Sequence, residues 1–275
     1  MKRFLLLLPL AVLTLCSCQE QSLSIMSFNV RYNGIWANDG DNDWAHRRAA
    51  VASMILQEMP DAIGMQEVLP DQMAYLDSAL GNHYWRIGVG RDDGDTSGES
   101  MCIYYNYDRL KLIGWHTYWL SETPDSVSYG WDAACRRTVT TATFEDTRTG
   151  HSFTYLNTHL DHMGSEARKQ SVLLLCQMAN KYEGPLILGG DMNSDIEDSI
   201  FLPLAQYHLL SARDIAPVSD TAYTYNAFGN HSPARIDHFF VRNCQVRHFR
   251  TLNGNYGVPY ISDHYPIEME LVIQH

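Results

Sequence analysis

The sequence predicts an α/β protein of four layers, an α/β/β/α sandwich with two packed mixed sheets inside and helices outside. Three observations carry this. Short apolar runs of strand length outnumber the helical segments. Helices fall between only some of those runs, whereas a doubly wound sheet needs one at nearly every crossover. No G-x-G-x-x-G, P-loop or G-x-S-x-G occurs, so dinucleotide, nucleotide-triphosphate and serine-hydrolase chemistry lack their usual signatures.

Taken in order, the first segment reads as an address label. Lys2 and Arg3 precede an almost wholly apolar stretch over 4–15, too short to span a bilayer as a helix. Leu15-Cys16-Ser17-Cys18 resembles a bacterial lipobox, with Cys18 as the lipidated first residue. We therefore expect a signal peptide over 1–17, a short tether over 18–22 and one domain over 23–275. That makes an exported protein, anchored in a bacterial cell envelope through lipid or otherwise secreted. Removing 17 of the 275 residues leaves 258 and takes the formal charge from −12 to −14.

Strands are expected at 23–32, 62–66, 101–105, 153–159, 186–189 and 236–241, all short apolar runs. Two more alternate with period two: 138–144, and the last strand through Ile267, Met269, Leu271 and Ile273. Asp43 is placed to cap a helix over 44–59 that Pro60 stops. Pro70 opens a second helix and Gly81 closes it; a third runs from 165 to about 182, before Gly184-Pro185. Asp39-Gly40-Asp41-Asn42-Asp43 lacks the spacing and final Glu of an EF-hand, so it reads as a solvated loop. Cys102, Cys135, Cys176 and Cys244 form no C-x-x-C, and the apolar settings of Cys102 and Cys176 favour buried free thiols.

Composition bounds the function. Hydrophobic residues make up 45% and charged residues 19%, which excludes a disordered or fibrous chain. Asp and Glu number 32 against 20 Lys and Arg, and this acidic balance argues against tight nonspecific binding of duplex DNA. A monomer is expected, with membrane contact only through the lipid anchor.

The informative pattern is where the polar residues fall. Strand after strand ends in hard-oxygen or imidazole donors: Ser27-Phe28-Asn29, Gln66-Glu67, Asn157-Thr158-His159, Gly190-Asp191-Met192-Asn193, Ile236-Asp237-His238 and Ser262-Asp263-His264. One Asp after a strand is an ordinary turn residue. Six such clusters can converge on one rim of a sheet sandwich. Carboxylate and amide oxygens select hard cations such as Mg²⁺ or Mn²⁺. Such a cation offsets charge on phosphate oxygens. An Asp beside an Asn can orient and deprotonate water, and a His–Asp pair can aim an imidazole at a phosphoryl oxygen.

These residues resemble the endonuclease/exonuclease/phosphatase superfamily of metal-dependent phosphoesterases, which has the DNase I-like fold. The likeness runs from Ile25 to Val272 through six motifs: Ser-Phe-Asn-Val-Arg (27–31), Gln-Glu (66–67), Asn-Thr-His-Leu-Asp-His (157–162), Gly-Asp-Met-Asn-Ser (190–194), Arg-Ile-Asp-His-Phe (235–239) and Ser-Asp-His-Tyr-Pro (262–266). The resemblance implies Glu67 as principal metal ligand with Asn29 and Asp263, and one or two ions of Mg²⁺ or Mn²⁺. It implies His159 on the scissile phosphate, Asp191 on the attacking water with Asn193 beside it, and Asp237 orienting a catalytic His264 that is either a base or a phosphate contact. Glu99, Asn157 and Arg137 are assigned to substrate, Arg137 as a phosphate clamp in a pattern similar to small secreted bacterial members.

A small or medium phosphorylated molecule or a nucleotide fragment fits best as substrate; the alternatives are DNA or RNA, and a phospholipid as in sphingomyelinases. An inactive surface binding lipoprotein is the non-enzyme alternative. Trp115, Tyr118, Trp119, Tyr129 and Trp131 crowd one segment that could stack on a base or sugar or serve as packing.

Overall fold

The computed structural model describes residues 21–34, 37–230 and 233–274. The expected leader and Cys18 lie outside the described residues. The first half of the chain supplies β1 (Leu23–Asn29), α1 (Trp44–Glu58), β2 (Ala62–Gln66), α2 (Pro70–Leu80), β3 (Tyr84–Ile87), β4 (Ile103–Asn106) and β5 (Leu110–Trp119). Then come β6 (Thr138–Asp146), β7 (Ser152–His159), α3 (Ser165–Ala179), β8 (Leu186–Asp191), α4 (Leu202–Gln206), β9 (Leu210–Ser211) and α5 (Ala212–Ile215). The chain closes through β10 (Val218–Ser219), β11 (Asp237–Arg242), β12 (Cys244–Thr251) and β13 (Ile267–Ile273).

Two sheets result, in the orders β10-β12-β13-β1-β2-β4-β3 and β5-β6-β7-β8-β11-β9. Both are mixed: β1 runs parallel to β2 and β7 to β8, while β13 and β11 return antiparallel beside them. Alternation along each strand sorts the side chains into three apolar layers. Leu23, Ile25, Phe153, Tyr155, Ile187, Phe239 and Val241 fill the space between the sheets. Met26, Phe28, Ile63 and Met65 face outward onto Val51, Met54 and Ile55 of α1 and Leu76 of α2. Leu156, Leu186, Leu188 and Phe240 face the other way onto Val172, Leu175 and Cys176 of α3. The expected four-layer α/β/β/α sandwich of the DNase I-like type is the fold. Burial of each such side chain contributes about 1.5–3 kcal/mol.

Local chemistry sets the element ends. Met59, in the left-handed region at φ 50, stops α1 ahead of Pro60. Pro70 starts α2, and Gln72 accepts from the Leu69 N–H at 3.1 Å. Asp43 occupies the N-cap position of α1 but its side chain caps nothing. The third helix ends at Ala179, earlier than expected, and the first strand ends at Asn29 rather than residue 32, because Arg31 turns at φ 59. The sheets pinch together at Gly64, where a Cβ would fall on the Tyr155 hydroxyl and the Asn157 carboxamide. Among the described residues Cys102, Cys135, Cys176 and Cys244 form no disulfide, and the first and third are buried as expected.

Candidate active site

The alternation that builds the inner layer also builds the site. The inward positions of β1 continue from Leu23 and Ile25 to Asn29, and those of β2 from Ala62 to Gln66. In β7 they continue from Phe153 and Tyr155 to Asn157 and His159, and in β8 from Ile187 to Asp191. Because β1 and β2 are parallel, Asn29 and Gln66 fall level. Likewise His159 sits beside Asp191, and antiparallel β11 brings Asp237 level with Asp191 from the other side. The Asp263-His264 pair precedes β13, which runs antiparallel to β1, so it arrives at the same rim.

Three turns aim the side chains just past the strand ends. Arg31, Glu67 and Asn193 hold φ values of 59, 64 and 48. Non-glycine residues pay about 1–2 kcal/mol for this conformation, a strain that clusters at functional sites. In exchange Glu67 Oε2 accepts from the Tyr32 N–H at 2.9 Å, and the Asn193 N–H donates to Asp191 Oδ1 at 2.9 Å.

Asp191 is the hub. Its Oδ2 accepts from Asn29 Nδ2 at 3.0 Å and lies 3.4 Å from His159 Nε2 and 3.6 Å from His264 Nε2. Asn29 Nδ2 also reaches Glu67 Oε1 at 2.9 Å, which links carboxylates from the two sheets. His264 Nδ1 is 2.8 Å from Asp237 Oδ2. Asn193 Nδ2 donates to His159 Nε2 and to the Leu160 carbonyl, both at 2.9 Å.

The two histidines carry opposite charge states. Burial, then Arg137 and Arg91, hold His159 well below an ordinary histidine, so it is neutral and makes no ion pair with Asp191. Burial alone would lower His264 too, but Asp237, Asp191 and Asp263 raise it well above the ordinary value. Burial pushes Asp191 up to about 7, opposed by His264 and reinforced by Asp237. Asp263 is raised by burial and by Glu67, against His264 and Arg31.

A cleft of about 510 Å³ opens over this floor, lined among others by Glu67, Glu99, Arg137, His159, Asp191, Asn193, Asp263 and His264. Of the residues expected from sequence, Asn157 is a correction. It is fully buried between the sheets, donates to the Met65 and Cys102 carbonyls at 2.8 and 2.9 Å, and accepts from Gln66 at 2.7 Å. With its amide fully used it ties the sheets together and is not a substrate contact. Asn29 turns its amide N–H to Glu67 and Asp191 because the Arg31 N–H, at 2.9 Å, fixes its oxygen on the other side. Glu99 lines the cleft but is clamped by Arg91 at 2.7 and 2.8 Å. Arg137 is buried against Asp161 at 3.2 Å.

Sequence reasoning assigned no role to Arg91, His162, Tyr32 or Tyr225, which also line the cleft. Arg91 arrives through bridges of Val68 and Gly90 to Ser100, a fold-back without a sequence signature. His162 stands within the Asn157–His162 motif and could have been found there. The aromatic segment is not part of this cleft: Trp119 packs with its indole N–H on the Arg91 carbonyl at 2.8 Å, and Tyr129 covers Arg136.

The residues also fit a cation. Glu67, His159 and Asp191 each present one ligand atom, all within 4.8 Å of one another. Asp263 and Asp191 are pushed up by burial and by neighbouring carboxylates, a crowding that a divalent cation relieves.

The sequence profile described as the Endonuclease/Exonuclease/phosphatase family matches residues 26–264. The chain is similar to a solved endonuclease/exonuclease/phosphatase of Bacteroides vulgatus, 34% identical, covering 92% of this chain and 100% of that one, with a TM-score of 0.87. It is similar to a mannosyl-6-phosphatase of Bacteroides thetaiotaomicron, 31% identical over 91% of this chain and 100% of that one, with a TM-score of 0.85. An uncharacterised protein of Acanthamoeba polyphaga mimivirus is 28% identical over 55% of this chain and 60% of its own length. The matches span less than two thirds of the curated relatives, 60% in that case and 27% in another.

Proposed function

Since the chain belongs to the endonuclease/exonuclease/phosphatase family, we propose that it is a divalent-metal-dependent hydrolase of phosphoester bonds, acting by direct attack of water on a small phosphorylated molecule. The observation that carries this is the convergence of Asn29, His159, Asn193 and His264 on the single carboxylate of Asp191. The likeness to a mannosyl-6-phosphatase and the acidic net charge of −12 both favour a small substrate over a long nucleic acid.

Each residue has a part. Asp191, held by the Asn193 backbone, accepts the proton of a water placed beside it. Neutral His159 accepts from the Asn193 amide at Nε2 and holds it beside Asp191. His264, kept protonated by Asp237, presents positive charge to the phosphate where negative charge develops. Glu67 and Asp263 would hold Mg²⁺ or Mn²⁺, while Asn29, with its amide N–H on Glu67 and Asp191, would space the carboxylates around it. When bound, the ion supplies charge neutralisation at the phosphoryl oxygens. Export as a lipoprotein through Cys18 belongs to the same proposal; radiolabelled palmitate incorporated by the wild type and not by Cys18→Ala tests it.

The central test is hydrolysis of p-nitrophenyl phosphate and bis-p-nitrophenyl phosphate with Mg²⁺ or Mn²⁺. Activity that needs the metal and collapses in Glu67→Ala is expected. Activity surviving both EDTA and that substitution would overturn the mechanism.

A further inference from the structure

One wall of the cleft is built from two guanidiniums that the proposed chemistry of the floor does not use. Arg91 and Arg137 are 9% and 4% exposed, and both line the cleft. Each is gripped by a carboxylate. Glu99 takes both Nη atoms of Arg91, and Asp161 takes Arg137 Nε at 3.2 Å. Asp161 is itself fixed by the N–H groups of Cys135, Met163 and Gly164 at 3.2, 3.0 and 2.7 Å. Both side chains line the cleft, and each Nη nitrogen that grips Glu99 or His162 carries a second N–H beyond the one that bond uses. A guanidinium cannot shed a proton, so these stay donors for an anionic oxygen.

His162 completes the wall. Arg137 Nη2 lies 2.9 Å from His162 Nδ1. Arginine can only donate, so Nδ1 accepts and the ring proton sits on Nε2. His162 is exposed and lines the cleft, so it presents a donor of fixed sense. The wall adjoins the floor: the two guanidiniums are among the charges that keep His159 neutral.

We propose that Arg91, Arg137 and His162 bind the third non-bridging oxygen of a terminal phosphate and thereby select phosphomonoesters over phosphodiesters. The proposal rests on the phosphoester-hydrolase reading. A diester phosphate carries one negative charge on two non-bridging oxygens, which His264 and a bound cation would serve. A monoester carries a charge of about −1.5 to −2 at neutral pH on three such oxygens. The third needs donors of its own, and charge-assisted donors in a fixed fork suit it. In a diester that corner is an uncharged ester oxygen whose substituent runs into the Arg91–Glu99 and Arg137–Asp161 pairs. The reaction balances as a phosphomonoester dianion plus water giving an alcohol plus hydrogen phosphate. The water oxygen bonds to phosphorus, the ester P–O bond breaks, and the leaving oxygen gains a proton.

The test compares kcat/KM for p-nitrophenyl phosphate and bis-p-nitrophenyl phosphate in the Mg²⁺-loaded wild type, His162→Ala and Arg137→Lys. Competitive inhibition by inorganic phosphate and by dimethyl phosphate is measured alongside. We expect the wild type to favour the monoester and each variant to lose about 10- to 100-fold on it, the range for one or two charge-assisted hydrogen bonds. Losses on the diester and in dimethyl phosphate inhibition should be at least about threefold smaller than those on the monoester and in phosphate inhibition. If Arg137→Lys fails to fold, His162→Ala decides, because His162 is exposed. Equal losses on both esters, or a wild-type preference for the diester, overturn the proposal while leaving the hydrolase reading intact. Inactivity on both esters with every metal rejects the two together.

Discussion

Asn29 donates to Asp191 across the gap between the sheets, Nδ2 to Oδ2 at 3.0 Å, although 162 positions separate them in sequence. The same nitrogen reaches Glu67 at 2.9 Å, so one amide sets the spacing of two carboxylates that ought to repel. Asn29→Ala is expected to lower kcat about 100-fold, the usual cost of misplacing reacting groups by about 1 Å. Steady-state kinetics beside a thermal melt checks this; an unchanged kcat in a folded variant would remove Asn29 from the site.

Glu67→Gln keeps shape and removes charge. The Mg²⁺ concentration for half-maximal activity should rise at least about tenfold, the lower range seen when one partner in a metal site is lost. Metal titration of activity after EDTA treatment reads this, and an unmoved midpoint would assign the cation to other residues.

Asp237 raises the His264 pKa well above its unfolded value near 6.5, so that pair stabilises the fold fully below about pH 6.5 and less as pH rises through the folded value. In EDTA, the melting-temperature gap between wild type and Asp237→Asn should be widest near pH 6 and should narrow toward alkaline pH. A gap that widens with pH would contradict a protonated His264.

Asp161 behaves oppositely. Burial would raise its carboxyl, yet the N–H groups of Gly164 and Met163 and the Arg137 guanidinium hold it well below the usual range. Its stabilisation is present above about pH 3.9 and is lost as pH falls through the folded value. Asp161→Ala leaves Arg137 buried without its partner, and should cost about 3–5 kcal/mol at pH 7 in urea unfolding. That difference should shrink in acid; a cost below about 1 kcal/mol, that of an exposed pair, would deny the pair its burial.

Strands buried on both faces were legible in the sequence, because β1, β2, β7 and β8 read as apolar runs whatever their neighbours. Strands β3, β5 and β12 were not. In β12 Gln245, Arg247, His248 and Arg250 interrupt the apolar positions, and a bulge between Val246 and His248 breaks the period of two. A second bulge between Leu112 and Gly114 does the same in β5. The strand-end clusters announced the floor of the cleft because each sits on its own strand. Residue type alone could not tell Asn157, turned into the core, from His159 two places on, and gave no sign that Arg91 would fold back to line the cleft.

The glycine pinch at residue 64 has a kinetic meaning. Glu67 and Asp263 ride on one sheet while His159, Asp191 and Asp237 ride on the other, so under the proposed roles turnover would gauge how the two sheets are aligned. A substitution in the shared apolar layer, such as Tyr155→Phe beside Gly64, can detune turnover without touching a reactive group. Conversely, loops on the rim can diverge and re-shape substrate choice while that alignment, and with it the chemistry, is left alone.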